Sequence, residues 1–416
     1  MEGQQGEGVE AVGYAEMEGV EFEGEESSSY DSSYDSSSSW SMDEADVSGS
    51  HIPPVLTPRE LWEEFLQGLA NATTLRIGDE SVVKYGLLDE GHDPQEICNE
   101  LLSTIRINNL THIILGKLFF NLIRDEAIQQ SFLKTLLIQS ADSKLKYLKL
   151  GSDATDVENP FLKTPVLLDA MLGATKSTEH WKLTEIELRG LVFMDQSTVE
   201  QMCLLLSRMP SITQINLFGA SFTEKEYAVD PLLQTATKIP SLDELQINRT
   251  HASNVPLIRS ETLEKMFEKK PKWWRLGLDG LGLTDAHALV MSSAFTQKDT
   301  QATPCKVGDL LTLKMNPAIT ALGYNSLFQV LYNKQRMGLV KVDHVQYQAT
   351  FDLVRSMNNL HRRLEFRGQD CEGWKRDRWI DFLETMSKLR WEDDCHKLNY
   401  IWFTVLERPD FVHQIS

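Results

Sequence analysis

Carboxylates, thiols and glycines are the residues of this chain whose types and spacing could do chemistry, and each set reads better as structure than as a reaction centre. Asp377, Asp381 and Glu384 recur at steps of four and three, which places them along one solvated helix face rather than in an acid–base pair. Cys371 and the adjacent Cys395 and His396 offer too few ligands for a zinc site, which needs four at defined spacing. Gly277, Gly280 and Gly282 are turn glycines, without the lysine and hydroxyl residue that end a phosphate loop. Neither a G-x-S-x-G elbow nor an H-E-x-x-H pair occurs. The sequence therefore predicts no catalytic residues, no metal and no cofactor.

Two basic runs carry aromatics, Lys265 to Arg275 and Arg362 to Trp379. Phosphate contacts and base stacking are conceivable there. In the first run, however, cations at a helix end suit its dipole and Trp273 falls on a core position. In the second, Glu365, Asp370, Glu372 and Asp377 offset the charge. No nucleic-acid partner is expected.

Charge and cysteine usage narrow the class further. The formal net charge is −20. Residues 1–58 hold 14 acidic and no basic residues, leaving 47 acidic against 41 basic in 59–416, a net of −6. The N-terminal stretch is Glu/Gly-rich and then serine-rich, with 12 serines among the 24 residues 27–50. So few aliphatic side chains cannot offset chain entropy, and 1–57 is expected to be a disordered acidic tail. Ser28, Ser32 and Ser41 each precede an acid by three positions, a pattern suited to acid-directed phosphorylation. The five cysteines, Cys98, Cys203, Cys305, Cys371 and Cys395, are scattered and unpaired, as reduced thiols are. The start lacks a signal peptide, and no apolar run approaches the roughly 20 residues needed to span a bilayer. These features predict a monomeric intracellular protein, cytoplasmic with a nuclear location open, and no membrane partner.

What positions the remaining residues is a recurring unit, clearest at 273–295. Trp273, Leu276 and Leu278 take the spacing L-x-x-L-x-L, a turn follows over Gly280 to Leu283, and a helical pattern runs from Thr284-Asp285 through Ala288, Leu289, Met291, Ser292 and Phe295. Alternation at Leu276 and Leu278 predicts a strand with one face buried, and Thr284 or Asp285 is a suitable helix cap. Similar strand cores stand at Leu110/Ile113/Leu115, Leu145/Leu148/Leu150, Leu183/Ile186/Leu188, Ile212/Ile215/Leu217, Leu242/Leu245/Ile247, Leu310/Leu313/Met315, Met337/Val340/Val342, His361/Leu364/Phe366 and Leu398/Ile401/Phe403, at steps of 24 to 38 residues. Before them, 59–70 forms an apolar helical face that leads directly into a strand at 74–77.

This pattern resembles the leucine-rich repeat of the ribonuclease-inhibitor-like type. The resemblance implies an α/β fold: a curved solenoid, or horseshoe, of about eleven degenerate strand-turn-helix units over 58–416. Family members place Asn or Cys three residues after the last strand leucine; here those positions read Leu191, Ala220, Thr250, Leu281 and Ala318. Irregular curvature and longer excursions at 151–164 and 296–308 are expected.

In such a fold the variable strand positions line a concave wall. Its candidate protein-binding residues are Tyr147, Glu185, Glu187, Phe218, Glu244, Arg275, Lys314, Lys341, Arg363, Arg367, Tyr400 and Trp402. The middle is acidic and amide-rich, the C-terminal third basic. The expected role is noncatalytic binding of a protein partner. Two other roles fit less well. A resemblance to Ran GTPase-activating proteins meets an acidic segment on the opposite side of the repeats. A ubiquitin-ligase substrate receptor would need an F-box of roughly 40 residues, where the helix at 59–70 runs straight into a strand.

Overall fold

The computed structural model describes residues 56–88, 92–141, 143–151, 160–177, 181–296, 306–334, 339–343, 363–367, 380 and 401–404. The chain enters through α1 (Pro58–Leu69), which starts where sequence chemistry says it should. Thr57 and Glu60 form a reciprocal capping box and Pro58 occupies the first turn. Its inner face buries Trp62, Leu66 and Leu69, and the Trp62 indole N–H donates to Glu100 at 2.8 Å. The next element is a strand, β1 (Thr74–Ile77).

From there short strands and helices alternate: α2 (Asp79–Lys84), α3 (Pro94–Thr104), β2 (His112–Leu115), α4 (Lys117–Leu122), α5 (Glu126–Ala141), β3 (Tyr147–Gly151), α6 (Thr164–Ser177), β4 (Glu185–Arg189), β5 (Val192–Phe193), α7 (Gln196–Ser207), β6 (Gln214–Phe218), β7 (Ser221–Phe222), α8 (Asp230–Ala236), β8 (Glu244–Asn248), α9 (Ser260–Lys269), β9 (Lys272–Asp279), α10 (Asp285–Thr296), β10 (Lys306–Thr312), α11 (Ala321–Lys334), β11 (Leu339–Asp343), β12 (Arg363–Arg367) and β13 (Ile401–Thr404). Eleven strands make one sheet in the order β1-β2-β3-β4-β6-β8-β9-β10-β11-β12-β13, and every pairing is parallel. Parallel neighbours require crossover connections, which the described helices supply from β1 to β11. β5 and β7 pair separately beside the sheet, where Phe193 and Phe222 stack at 4.7 Å.

Alternation along each strand divides the sheet into two faces. Ile186 and Leu188, Ile215 and Leu217, Leu245 and Ile247, and Leu276 and Leu278 are buried and join the helices' apolar side chains in one continuous core. The intervening residues stand on the opposite, polar face. Carboxylates tie successive helices together. Asp79 Oδ1 accepts from Leu118 N–H at the start of α4 (2.8 Å), Asp230 Oδ1 from Arg259 N–H before α9 (2.9 Å), and Asp285 Oδ1 from Thr320 N–H before α11 (2.7 Å). Anionic caps suit the positive ends of those helices. Of the two cap candidates before this helix, Thr284 and Asp285, Asp285 reaches the start of the following helix. Of the three expected turn glycines, Gly280 and Gly282 form the turn after β9, at φ +69° and +67°, and a Cβ on either would stand 2.6 or 2.2 Å from a carbonyl oxygen; Gly277 lies within β9 instead.

One strand frame differs from the sequence reading. Leu311 and Leu313, not Leu313 and Met315, are the inward pair in and just beyond β10, because Leu311 lies beside Leu276 in register. A register shift between Val307 and Leu310 accommodates the offset. The residue three places after Leu313 is therefore Asn316, not Ala318. Asn316 is fully buried; its amide donates to the carbonyls of Leu278, Leu313 and Lys314 and accepts from Leu283 N–H. Leu191, Ala220 and Leu281 at the corresponding places after earlier strands are buried without polar side chains.

Candidate functional site

The polar face is assembled by register, so residues far apart in sequence become neighbours about 4.8 Å apart. One row runs Tyr147, Glu185, Gln214, Glu244, Arg275; the next Lys149, Glu187, Asn216, Gln246, Gly277, Thr312; a third Gly151, Arg189, Phe218, Asn248, Asp279.

At β3 and β4 the face closes on itself. Glu187 Oε1 meets Lys149 Nζ at 3.1 Å and the Arg189 guanidinium at 2.5 Å, and Glu187 Oε2 accepts from the Tyr147 hydroxyl at 3.0 Å. Burial alone would raise the Glu187 carboxyl, but Arg189 and Lys149 outweigh it and hold the group below its ordinary range. Burial, reinforced by Glu187, pushes the Tyr147 phenol upward. Arg189 also covers Phe218, 5.1 Å from its ring centroid. Of the residues singled out by sequence, Tyr147, Glu187 and Phe218 are thus brought into one internally paired cluster, with Glu185 half-buried beside it.

Across β6, β8 and β9 the pairing is incomplete. Glu244 is 1 % exposed; its Oε1 accepts from Gln246 Nε2 at 2.7 Å. Arg275 hydrogen-bonds Asp309 at 2.7 Å and leaves Glu244 Oε2 3.6 Å from its own Nη1. Asp279, also buried, accepts from the Thr312 hydroxyl and from the Lys314 backbone N–H, both at 2.7 Å. Asn216 Oδ1, Glu244 Oε2 and Asn248 Oδ1 are buried with no hydrogen-bond partner.

Lys341 and Glu365 are register neighbours, as are Arg367 and Asp343, and Arg363 stands beside Leu339. Trp402 follows Glu365 on β13. Tyr400, Ser28, Ser32, Ser41, Cys371, Cys395, His396, Asp377, Asp381 and Glu384 lie outside the described residues.

The basic aromatic run 265–275 resolves into separate tasks. Lys270 Nζ donates to the carbonyls of Ile239 and Pro240 at 3.1 and 3.2 Å, and Trp273 lies in the core at 2 % exposure. Trp274 escaped the sequence reading: it is 52 % exposed and lies against Gly308, whose Cβ would stand 2.8 Å from the indole. Its signal was the second tryptophan of a pair, one of which must leave the core when strand side chains alternate.

A cleft of about 630 Å³ opens beside α9 and the start of α10, between Tyr227, Arg259, Lys265, Thr284 and His287. Tyr227 adopts φ +65°, a left-handed backbone rare outside glycine, and the Arg259 guanidinium sits 4.5 Å from its ring centroid. His287 Nδ1 accepts from Thr284 N–H at 3.1 Å and Nε2 donates to the Ile258 carbonyl at 2.8 Å. That double use fixes a neutral imidazole, whose buried position holds its pKa below the ordinary value. Every described polar group in the cleft that is buried has its partner, so the incomplete pairing of the sheet's polar face stands apart.

Among the described residues no helix is long and apolar enough to cross a membrane. No protein-family model matches the chain, and no curated protein matches it either.

Proposed function

We propose that this chain is a leucine-rich-repeat protein of the ribonuclease-inhibitor-like type, and that it acts without catalysis by binding a protein partner on the concave polar face of its sheet. The observation that carries this reading is the set of buried, unpartnered acceptors on β6 and β8. A folded chain loses free energy by leaving such groups unsatisfied, roughly 1–3 kcal/mol each. A face that keeps them is one whose pairing is completed by something else. The sheet supports that use, since strand-borne side chains are held in place before binding and little ordering entropy is spent on association. Aromatic and arginine side chains at Phe218, Trp274 and Arg275 are the types that anchor interfaces.

The test is recovery of a partner from native lysate by the full chain, compared with a Glu185→Lys/Phe218→Ala form and with a Lys265→Glu form altered on the helical side. A protein kept by the original and Lys265→Glu chains but lost from the doubly substituted one supports the reading. Equal recovery by all three removes the polar face as the binding surface.

A further inference from the structure

Among the described residues six buried side-chain atoms lack a hydrogen-bond partner, and three of them share the polar face of two adjacent strands: Asn216 Oδ1, Glu244 Oε2 and Asn248 Oδ1. All three are acceptors. Asn216 is the register partner of Gln246, and Glu244 and Asn248 flank Gln246 two residues to either side on the same face. The three oxygens therefore stand around one side chain, one of whose two Nε2 hydrogens goes to Glu244 Oε1.

Donors are scarce on the adjoining strand. Gly277, the register partner of Gln246 on β9, has no side chain, and Asn248 Oδ1 lies 2.7 Å from the place its Cβ would take. Arg275 is the adjacent cation, but its Nε is bonded to Asp309 at 2.7 Å and its Nη1 stops 3.6 Å from Glu244 Oε2, outside hydrogen-bond reach. A group that satisfies these three oxygens must donate. Guanidinium and ammonium meet that demand. Five N–H groups in a rigid plane, with weaker hydration than an ammonium, favour guanidinium where water has been mostly displaced.

We propose that the polar face at β6, β8 and β9 receives an arginine side chain of a protein partner, whose guanidinium donates to Asn216 Oδ1, Glu244 Oε2 and Asn248 Oδ1. This rests on the protein-binding reading above and names the chemistry of its partner. Arg275, 41 % exposed and held by Asp309, is the side chain that turns aside to admit it.

The experiment titrates the full-length, deuterated and 15N-labelled protein with N-acetyl-arginine amide and follows the side-chain amide signals of Asn216, Gln246 and Asn248. N-acetyl-citrulline amide, similar in shape but uncharged, and N-acetyl-glutamate amide serve as the other probes. Saturable shifts of those three amides with the arginine probe, weakened about tenfold in Glu244→Gln and again in Asn248→Ala, support the site, because charge-assisted hydrogen bonds are about twice as strong as neutral ones. Unmoved amides, shifts of equal size with citrulline or glutamate, or unchanged arginine binding in both variants overturn it. A protein partner that needs Phe218 and Glu185 yet binds Glu244→Gln as well as the original chain overturns the arginine site and leaves the protein-binding reading standing. Arginine binding in a chain whose polar face retains no protein supports the site and removes that reading.

Discussion

Two adjoining regions of one sheet face, built on the same alternation and the same core, reach opposite electrostatic outcomes. At β3 and β4, Glu187 is shared by Lys149, Arg189 and Tyr147. At β6 and β8, Asn216, Glu244 and Asn248 each keep a buried acceptor without a donor. The difference lies in the reach of neighbours. Arg189 on the same strand and Lys149 on the adjoining one flank Glu187 with long cationic side chains, whereas the strand next to Gln246 offers Gly277 there and its cation, Arg275, is bonded to Asp309. The first region satisfies itself and adds to stability. The second leaves buried acceptors without a hydrogen-bond donor, at a cost in stability.

The largest expected effect tests whether the backing of the two regions is the same. Leu188 and Leu276 are both fully buried behind them. Leu188→Ala and Leu276→Ala should each destabilise by about 2–5 kcal/mol in urea denaturation, the cost of lost transfer energy and a cavity. A much smaller loss at Leu276 alone would mean that the central region is loosely packed and that its unpaired acceptors reflect poor order. Next comes the contrast between the faces themselves. Glu187→Ala strands Lys149, Arg189 and Tyr147 and should cost roughly 1–3 kcal/mol. Glu244→Gln removes an incompletely paired buried charge and should be neutral or slightly stabilising. Equal losses from the two substitutions would erase the distinction.

Acid should reach the β3–β4 cluster and the cleft beside α10 at different pH. His287, on α10, is held by burial below its ordinary value of 6.5. Between that value and the folded one the unfolded chain binds more protons, so stability is full above about pH 6.5 and falls as pH drops through it. Glu187 is lowered from 4.5 because Arg189 and Lys149 outweigh its burial, and its contribution is present above that value and lost only as pH falls further. Urea midpoints at pH 7, 5.5 and 4 separate them. The loss between pH 7 and 5.5 should shrink in His287→Gln, whereas Glu187→Gln should alter only the loss below about 4.5. A pH 7-to-5.5 loss of the same size in His287→Gln would refute the assignment.

Most of the strand positions were legible because L-x-x-L-x-L fixes both element and face. Ile186, Leu188, Leu245 and Ile247 are buried where the alternation puts them. The frame slipped at 310–315, where Leu310 and Leu311 stand side by side and apolar spacing alone cannot choose between them. The choice is made by the register shift after Val307 and by the hydrogen bonds of Asn316, which depend on the turn rather than on the strand. Which polar residues share the face was likewise readable, but not their pairing. Arg275 bonds Asp309 across β9 and β10, 34 positions apart in sequence, a separation that gives no hint of side-chain reach. Tyr147, a candidate contact residue, commits its hydroxyl to Glu187, a bond that sequence spacing does not reveal.

The smallest expected effect probes the gap at Gly277. A Cβ there would stand 2.7 Å from Asn248 Oδ1, 3.0 Å from the Thr312 methyl and 3.2 Å from Gln246 Cα. Only the first of these is the mobile end of a side chain, so Ala displaces the Asn248 amide and strains the rest slightly. Ala also restricts the unfolded chain, a gain of about 0.4–1 kcal/mol where the native backbone tolerates it. The two effects oppose one another, and Gly277→Ala should change stability by less than about 1 kcal/mol while moving the side-chain amide signal of Asn248. A large loss of stability would show that the glycine is demanded by strand packing, and that Asn248 Oδ1 fills the gap as part of the fold rather than standing ready for a donor.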